Sequence, residues 1–170
     1  MVFMLGLEKK NDKEIKKYIL KVKSNIAWWC EKNNYKIKNM QLENLLQELK
    51  KVCYVSFFQD AKPSNWIFQG DKTYAIDFDY VKKSFFLADL AQLLSHVSLK
   101  RKINHATFID YFLKKILPKT KNYNTFYMPF KLAIINSNIA SRMHRENMQI
   151  AEEKGFDKQN KIILEKLKII

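Results

Sequence analysis

The chain has 170 residues, 47% hydrophobic and 14% aromatic, with only three glycines and three prolines, which suits one compact domain with a sizeable core and excludes a disordered polymer. Its net charge of +14 invites a polyanionic partner, but Arg101, Arg142 and Arg145 are the only arginines, and lysines spread over solvated faces explain the charge without one. No apolar run approaches the ~20 residues of a membrane helix, so no membrane span is expected.

The opening MVFMLGL is apolar but short, has no basic region before it and runs straight into charge, which makes a poor signal peptide. Asn11-Asp12 followed by Glu14 can start a helix, and Ile15, Tyr18, Ile19, Val22, Ile26 and Trp29 recur at helical spacing. Trp29 falls on that apolar stripe and Trp28 at its edge. The NNYK segment breaks the helix, and Leu42, Leu45, Leu46, Leu49 and Val52 form a second stripe. The apolar run from Cys53 to Phe58 fits a buried strand or the end of that helix. Trp66-Ile67-Phe68, a turn over Gln69-Gly70-Asp71-Lys72, and Thr73 to Phe78 read as a β-hairpin.

Beyond the hairpin the chain reads as helical to its end. Leu87, Leu90, Leu93, Leu94 and Val97 mark one helix. Asn104 can cap another, which carries Phe108, Tyr111, Phe112 and Ile116 and stops at Pro118. The segment 119–125 is the expected exposed loop. A longer helix is expected from Pro129 to Lys154, terminated by Gly155, and a short one from Lys158 to Ile169. Cys30 and Cys53 alone indicate neither a disulfide framework nor a zinc site, so a reducing cytoplasm is the expected location. The fold class is mainly α with one small β-hairpin, an α+β single domain over 1–170.

The acids on that hairpin raise the question of chemistry. Residues 57–80, FFQDAKPSNWIFQGDKTYAIDFDY, set Asp60, Asp71, Asp77, Asp79 and Asn65 between apolar runs. Burying an ionised carboxylate is costly unless it is paired, so these acids either point to solvent at turns or converge on a cation. Asp71 beside Gly70 is a turn residue. A hairpin brings Asn65 and Asp77 to the same end, where an amide oxygen and a carboxylate make a hard-oxygen site suited to Mg²⁺. Asp60 can face the same space and orient a hydroxyl, and Lys62 can supply a cation for a γ-phosphate, the set that phosphoryl transfer needs. His96, His105 and His144 show no metal-ligand spacing, and Arg142, His144 and Arg145 read as a solvated helix face sooner than as contacts for an anionic substrate.

Asp60-Ala61-Lys62-Pro63-Ser64-Asn65 resembles the catalytic loop of the protein-kinase-like superfamily, D-x-K-P-x-N, and Ile76-Asp77-Phe78-Asp79 resembles its metal-binding segment with Asp in place of the last glycine. The I-D-F-D ending followed by A-D-L-A is more similar to the aminoglycoside phosphotransferase and choline-kinase branch, including spore-coat kinase-like proteins, than to eukaryotic protein kinases. The resemblance covers about residues 57–94 in its motifs, and the helices on either side suit the family's C-terminal lobe. It implies ATP and Mg²⁺ as cofactors and a hydroxyl-bearing small molecule or cell-surface component as substrate. It further implies Asp60 as catalytic acid/base, Asn65 and Asp77 as Mg²⁺ ligands with Asp79 as a further ligand or a supporting acid, and Lys62 on the γ-phosphate. Ile67 would floor the adenine and Asp89 would brace the catalytic loop.

Two departures qualify the pattern. Phe58 stands where the superfamily usually has His, an architectural position in which an aromatic ring can pack. Nothing resembles the N-terminal lobe, with its glycine-rich loop, strand lysine and partner glutamate, so the resemblance implies a C-terminal lobe whose upper lobe comes from elsewhere: an upstream reading frame, a mis-called start or a partner chain. Two alternatives stay open: a non-catalytic kinase-like remnant acting as a binding module, and a basic helical nucleic-acid binder, for which the sequence offers charge alone.

Overall fold

The apolar stripe of the first helix becomes its buried face in the computed structural model, which describes residues 12–52, 55–56, 63–76, 84–85, 88, 91–95, 111, 123–149 and 156–170. These residues are mainly helical. Helix α1 (Asp12–Lys32) buries Ile15, Tyr18, Val22, Ile26, Trp29 and Cys30. It ends in a Schellman motif, where Asn34 takes a left-handed φ of 58°. The Tyr35 N–H donates to the Cys30 carbonyl at 2.8 Å and the Asn34 N–H to that of Glu31 at 3.1 Å. Tyr35 then stacks on Trp29 with ring centroids 5.4 Å apart, so the apolar contact that accompanies such a cap is an aromatic pair.

Helix α2 (Asn39–Lys51) buries Leu42, Leu45, Leu46 and Leu49. Its start is tied to the C-terminus: the Lys38 N–H donates to the Ile169 carbonyl at 2.8 Å and Gln41 Nε2 to that of Leu167 at 3.1 Å. Helix α3 (Tyr123–Asn147) packs against α1, α2 and the last helix, α4 (Phe156–Lys166). Because α3 is surrounded, every residue from Phe130 to Asn136 is buried, and the polar ones need partners. Asn136 accepts from Asn25 Nδ2 at 2.8 Å, while Asn138 Nδ2 donates to Asn160 Oδ1 at 3.0 Å. These two amide contacts stitch α1 to α3 and α3 to α4.

Among the described residues four short strands form two antiparallel pairs. Strand β1 (Val55–Ser56) pairs with β4 (Ser84–Phe85), and β2 (Trp66–Gln69) pairs with β3 (Lys72–Ala75). The run from Cys53 to Phe58 therefore contains a strand at 55–56, and the region after the hairpin is not helical throughout, because β4 intervenes at 84–85. Residues 91–95 are helical, as expected.

Helix α3 also departs from the sequence reading. It starts at Tyr123, inside the expected loop 119–125, and continues through Pro129. An interior proline costs ~3 kcal/mol, and the burial of the turns that follow offsets it. The helix stops at Asn147 rather than Lys154, with Gln149 in the left-handed region at φ 54°. There the Met148 N–H donates to the His144 carbonyl at 3.0 Å and the Gln149 N–H to that of Glu146 at 3.1 Å, which satisfies carbonyls of the last turn. Helix α4 begins at Phe156, two residues before the expected start, and closes in a second Schellman motif with Lys168 at φ 59°. Among the described residues no helix is long and apolar enough to cross a membrane.

Candidate functional site

The two strand pairs are nested along the chain. The outer pair aligns Val55 with Phe85 and Ser56 with Ser84, and the inner pair aligns Trp66 with Ala75 through Gln69 with Lys72. Two connecting stretches run from the outer pair to the inner one, and they hold Asp60 and Lys62 on one side and Asp77 and Asp79 on the other. Those four residues, together with Phe58 and Asp89, lie outside the described residues. Asn65 and Ile67 lie within them.

Asn65 ends a single turn of 3-10 helix (Pro63–Asn65) that leads into β2. Pro63 suits the first position of such a turn, since its fixed φ is already helical and it needs no N–H partner there. The side chain of Asn65 is buried, at 3% exposure, and Ser64 Oγ donates to its Oδ1 at 3.3 Å. The Ile76 N–H donates to the Asn65 carbonyl at 2.9 Å, which extends the inner ladder to the residue before Asp77. The amide oxygen of Asn65 is a hard donor held at the base of the hairpin, and that chemistry fits Mg²⁺. Among the described residues no three His, Cys, Asp or Glu side chains converge on a metal position.

Register puts Asn65, Ile67 and Gln69 on one hairpin face with Lys72, Tyr74 and Ile76. Asn65 is buried, whereas Ile67, Tyr74 and Ile76 are 49%, 45% and 38% exposed. An apolar surface is thus left open beside the buried amide. The sequence marks Ile67 alone of these as a base-contacting residue; the two-residue alternation through the turn is the signal that puts Tyr74 and Ile76 on the same face. At the tip Gly70 has φ 58° and Asp71 is exposed, as a turn requires. Positive φ at the first loop residue alone is the pattern of a type II′ turn, which matches the twist of the strands.

A second polar cluster lies where the ends of α1 and α3 meet the start of α4. Trp29 Nε1 donates to Asp157 Oδ1 at 2.6 Å, and Arg142 also binds Asp157 through Nη1. Arg142 Nε donates to Glu146 Oε1 at 3.0 Å, and Lys32 pairs with the same carboxylate. Lys32 and Arg142 both approach the ring of Trp28, at 5.1 and 5.8 Å from its centroid. Arg142 is therefore not on a solvated face; its side chain is 11% exposed and held between two acids, so this cluster joins helices rather than receiving an anion. Its hydrogen bond from Lys32, opposed by burial and helped by Arg142, holds the Glu146 carboxyl below its ordinary range. Trp29 packs in the core and Trp28 at its edge, as the stripe predicted. Burial pushes the Cys30 thiol up to about 11, which keeps it neutral and inert.

No protein-family model matches the chain, and neither a curated protein nor a solved structure matches it.

Proposed function

We propose that the chain is the C-terminal-lobe part of a kinase-like, ATP- and Mg²⁺-dependent phosphotransferase acting on a hydroxyl of a small molecule or cell-surface component in the cytoplasm. The observation that carries the reading is the buried Asn65 at the base of a hairpin whose returning strand pairs with it one residue before Asp77. The nested strand pairs support it, because the D-x-K-P-x-N and I-D-F-D stretches connect the same two ladders. The open face of Ile67, Tyr74 and Ile76 supports it too, as a floor on which a planar base can rest.

In this reading Asp60 accepts the proton of the substrate hydroxyl and Lys62 contacts the γ-phosphate. Asn65 and Asp77 hold the metal, with Asp79 beside them, while Phe58 packs beneath the catalytic loop and Asp89 braces it. Bound Mg²⁺ supplies neutralisation of the phosphate charge. The upper lobe, with its own phosphate-binding groups, comes from another segment or chain.

The test is thermal denaturation of the chain with Mg²⁺-ATP. A rise in Tm that vanishes in Asp77→Ala but persists in Asp71→Ala is expected. A shift that survives Asp77→Ala refutes the metal assignment. The exposure of the floor also favours a second reading, a non-catalytic lobe that docks a partner there. Once the upper lobe is supplied, loss of turnover in Asp60→Ala with nucleotide binding retained selects the enzyme, and absence of turnover in the unsubstituted protein selects the docking module.

A further inference from the structure

The half of α1 turned away from the core carries Lys13, Lys16, Lys17, Lys21 and Lys23, all exposed, around Leu20, which is 65% exposed. At helical spacing these residues fall in the sector opposite the buried Ile15, Val22 and Ile26. The other exposed residues of that sector are the small Ser24 and Ala27 and, three turns beyond Leu20, Glu31. Lys23 pairs with Glu43 on α2. Among the described residues no carboxylate lies within ion-pair distance of Lys16, Lys17 or Lys21. Glu14 sits half-buried at the sector's edge, and Glu31 lies near the far end of the helix.

Unneutralised ammonium groups within about two turns attract a surface of phosphates. The residue at their centre decides which surface. Against a nucleic-acid backbone Leu20 would stay among charged and hydrated groups and gain nothing. Against a bilayer it enters the boundary between headgroups and acyl chains, the lysine stems lie along that boundary, and their ammonium heads reach back to the phosphates. The face also has no arginine fork and no exposed aromatic ring, the groups that read or stack on bases. We infer that this face of α1 docks the protein, helix axis in the plane of the surface, on anionic phospholipid. The net charge of +14 adds long-range attraction of the same sign. Such docking is peripheral, and it stands independently of the phosphotransferase reading.

The experiment is co-sedimentation of the full chain with vesicles of phosphatidylcholine alone or mixed with phosphatidylserine, at low and high salt. Binding to the mixed vesicles at low salt, weakened by salt and absent on the neutral ones, is expected. Because each lysine at an anionic surface contributes roughly fivefold in partitioning, Lys16→Glu, Lys17→Glu and Lys21→Glu together should lower it at least about a hundredfold. Lys36→Glu, Lys166→Glu and Lys168→Glu, an equal charge change at exposed lysines elsewhere, should retain most of the binding. Leu20→Ser should weaken vesicle binding and leave adsorption to a DNA oligonucleotide unchanged. Equal loss in the two triple variants would overturn the proposal in favour of global charge. No vesicle binding by the unsubstituted chain, or tighter α1-dependent binding to DNA than to vesicles, would overturn it as well.

Discussion

At the scale of single residues, ion pairs at the ends of α1 and α3 tie together segments far apart in the chain. Arg142 and Glu146 are one helical turn apart on α3, and a sequence reading makes them a surface pair worth little. The fold brings Lys32 from α1 and Asp157 from α4 onto them, and Trp29 donates its indole N–H to the same Asp157. This has a consequence for pH. The folded-state pKa of Glu146 is depressed below 4.5, so its contribution to stability is present above that value and is lost as pH falls through the lower folded value. Thermal melts of the unsubstituted chain and Glu146→Gln should therefore differ most near neutral pH, with the unsubstituted chain more stable, and the gap should close in acid. A gap that stayed constant across that range would remove the ion pair as its cause. Only the Arg142–Glu146 spacing was legible in the sequence, because Lys32 and Asp157 reach it from distant segments and Asp157 is 128 residues from Trp29.

At the scale of elements, the hairpin was the most legible part of the candidate site. Gly70-Asp71 between apolar runs reads as a turn, but each strand takes one residue of the expected four-residue turn, Gln69 in β2 and Lys72 in β3, and β3 stops at Ala75 rather than continuing to Phe78. The reason is physical and local: only a residue without a Cβ adopts a left-handed loop conformation at no cost. A Cβ added at Gly70 would meet nothing within 4 Å, so any penalty there is backbone strain and not collision. Gly70→Ala should accordingly destabilise the hairpin by about 1 kcal/mol, and Gly70→Asn by less. Amide hydrogen exchange of Ile67 and Tyr74 reads this directly, and equal protection in all three proteins would contradict the turn assignment. The outer pair escaped the sequence reading for the opposite reason. Two residues at 55–56 and two at 84–85 are too few to show an alternation, and their pairing exists only across the whole intervening segment.

At the scale of the whole molecule, α3 decides the architecture. It touches α1, α2 and α4, and its buried turn from Phe130 to Asn136 leaves no solvent side. Ile135→Ala should therefore cost about 2–5 kcal/mol by denaturant unfolding, whereas Leu20→Ala on the outer face of α1 should stay within about 0.5 kcal/mol. Comparable losses at the two positions would mean that α1 is covered on both sides. The sequence by itself determined what depends on neighbours a few residues away: the stripes of α1 and α2, the break at Asn33-Asn34, the glycine turn and the placement of Trp29 inside. It also located Asn65 where the loop enters the hairpin. Only the tertiary structure decided that α3 runs through Pro129, that it stops at Asn147, and that β4 closes the outer ladder on β1. Those outcomes follow from burial and pairing between segments far apart in the chain, whose free energy outweighs local propensity and leaves no periodic trace in the residues that obey it.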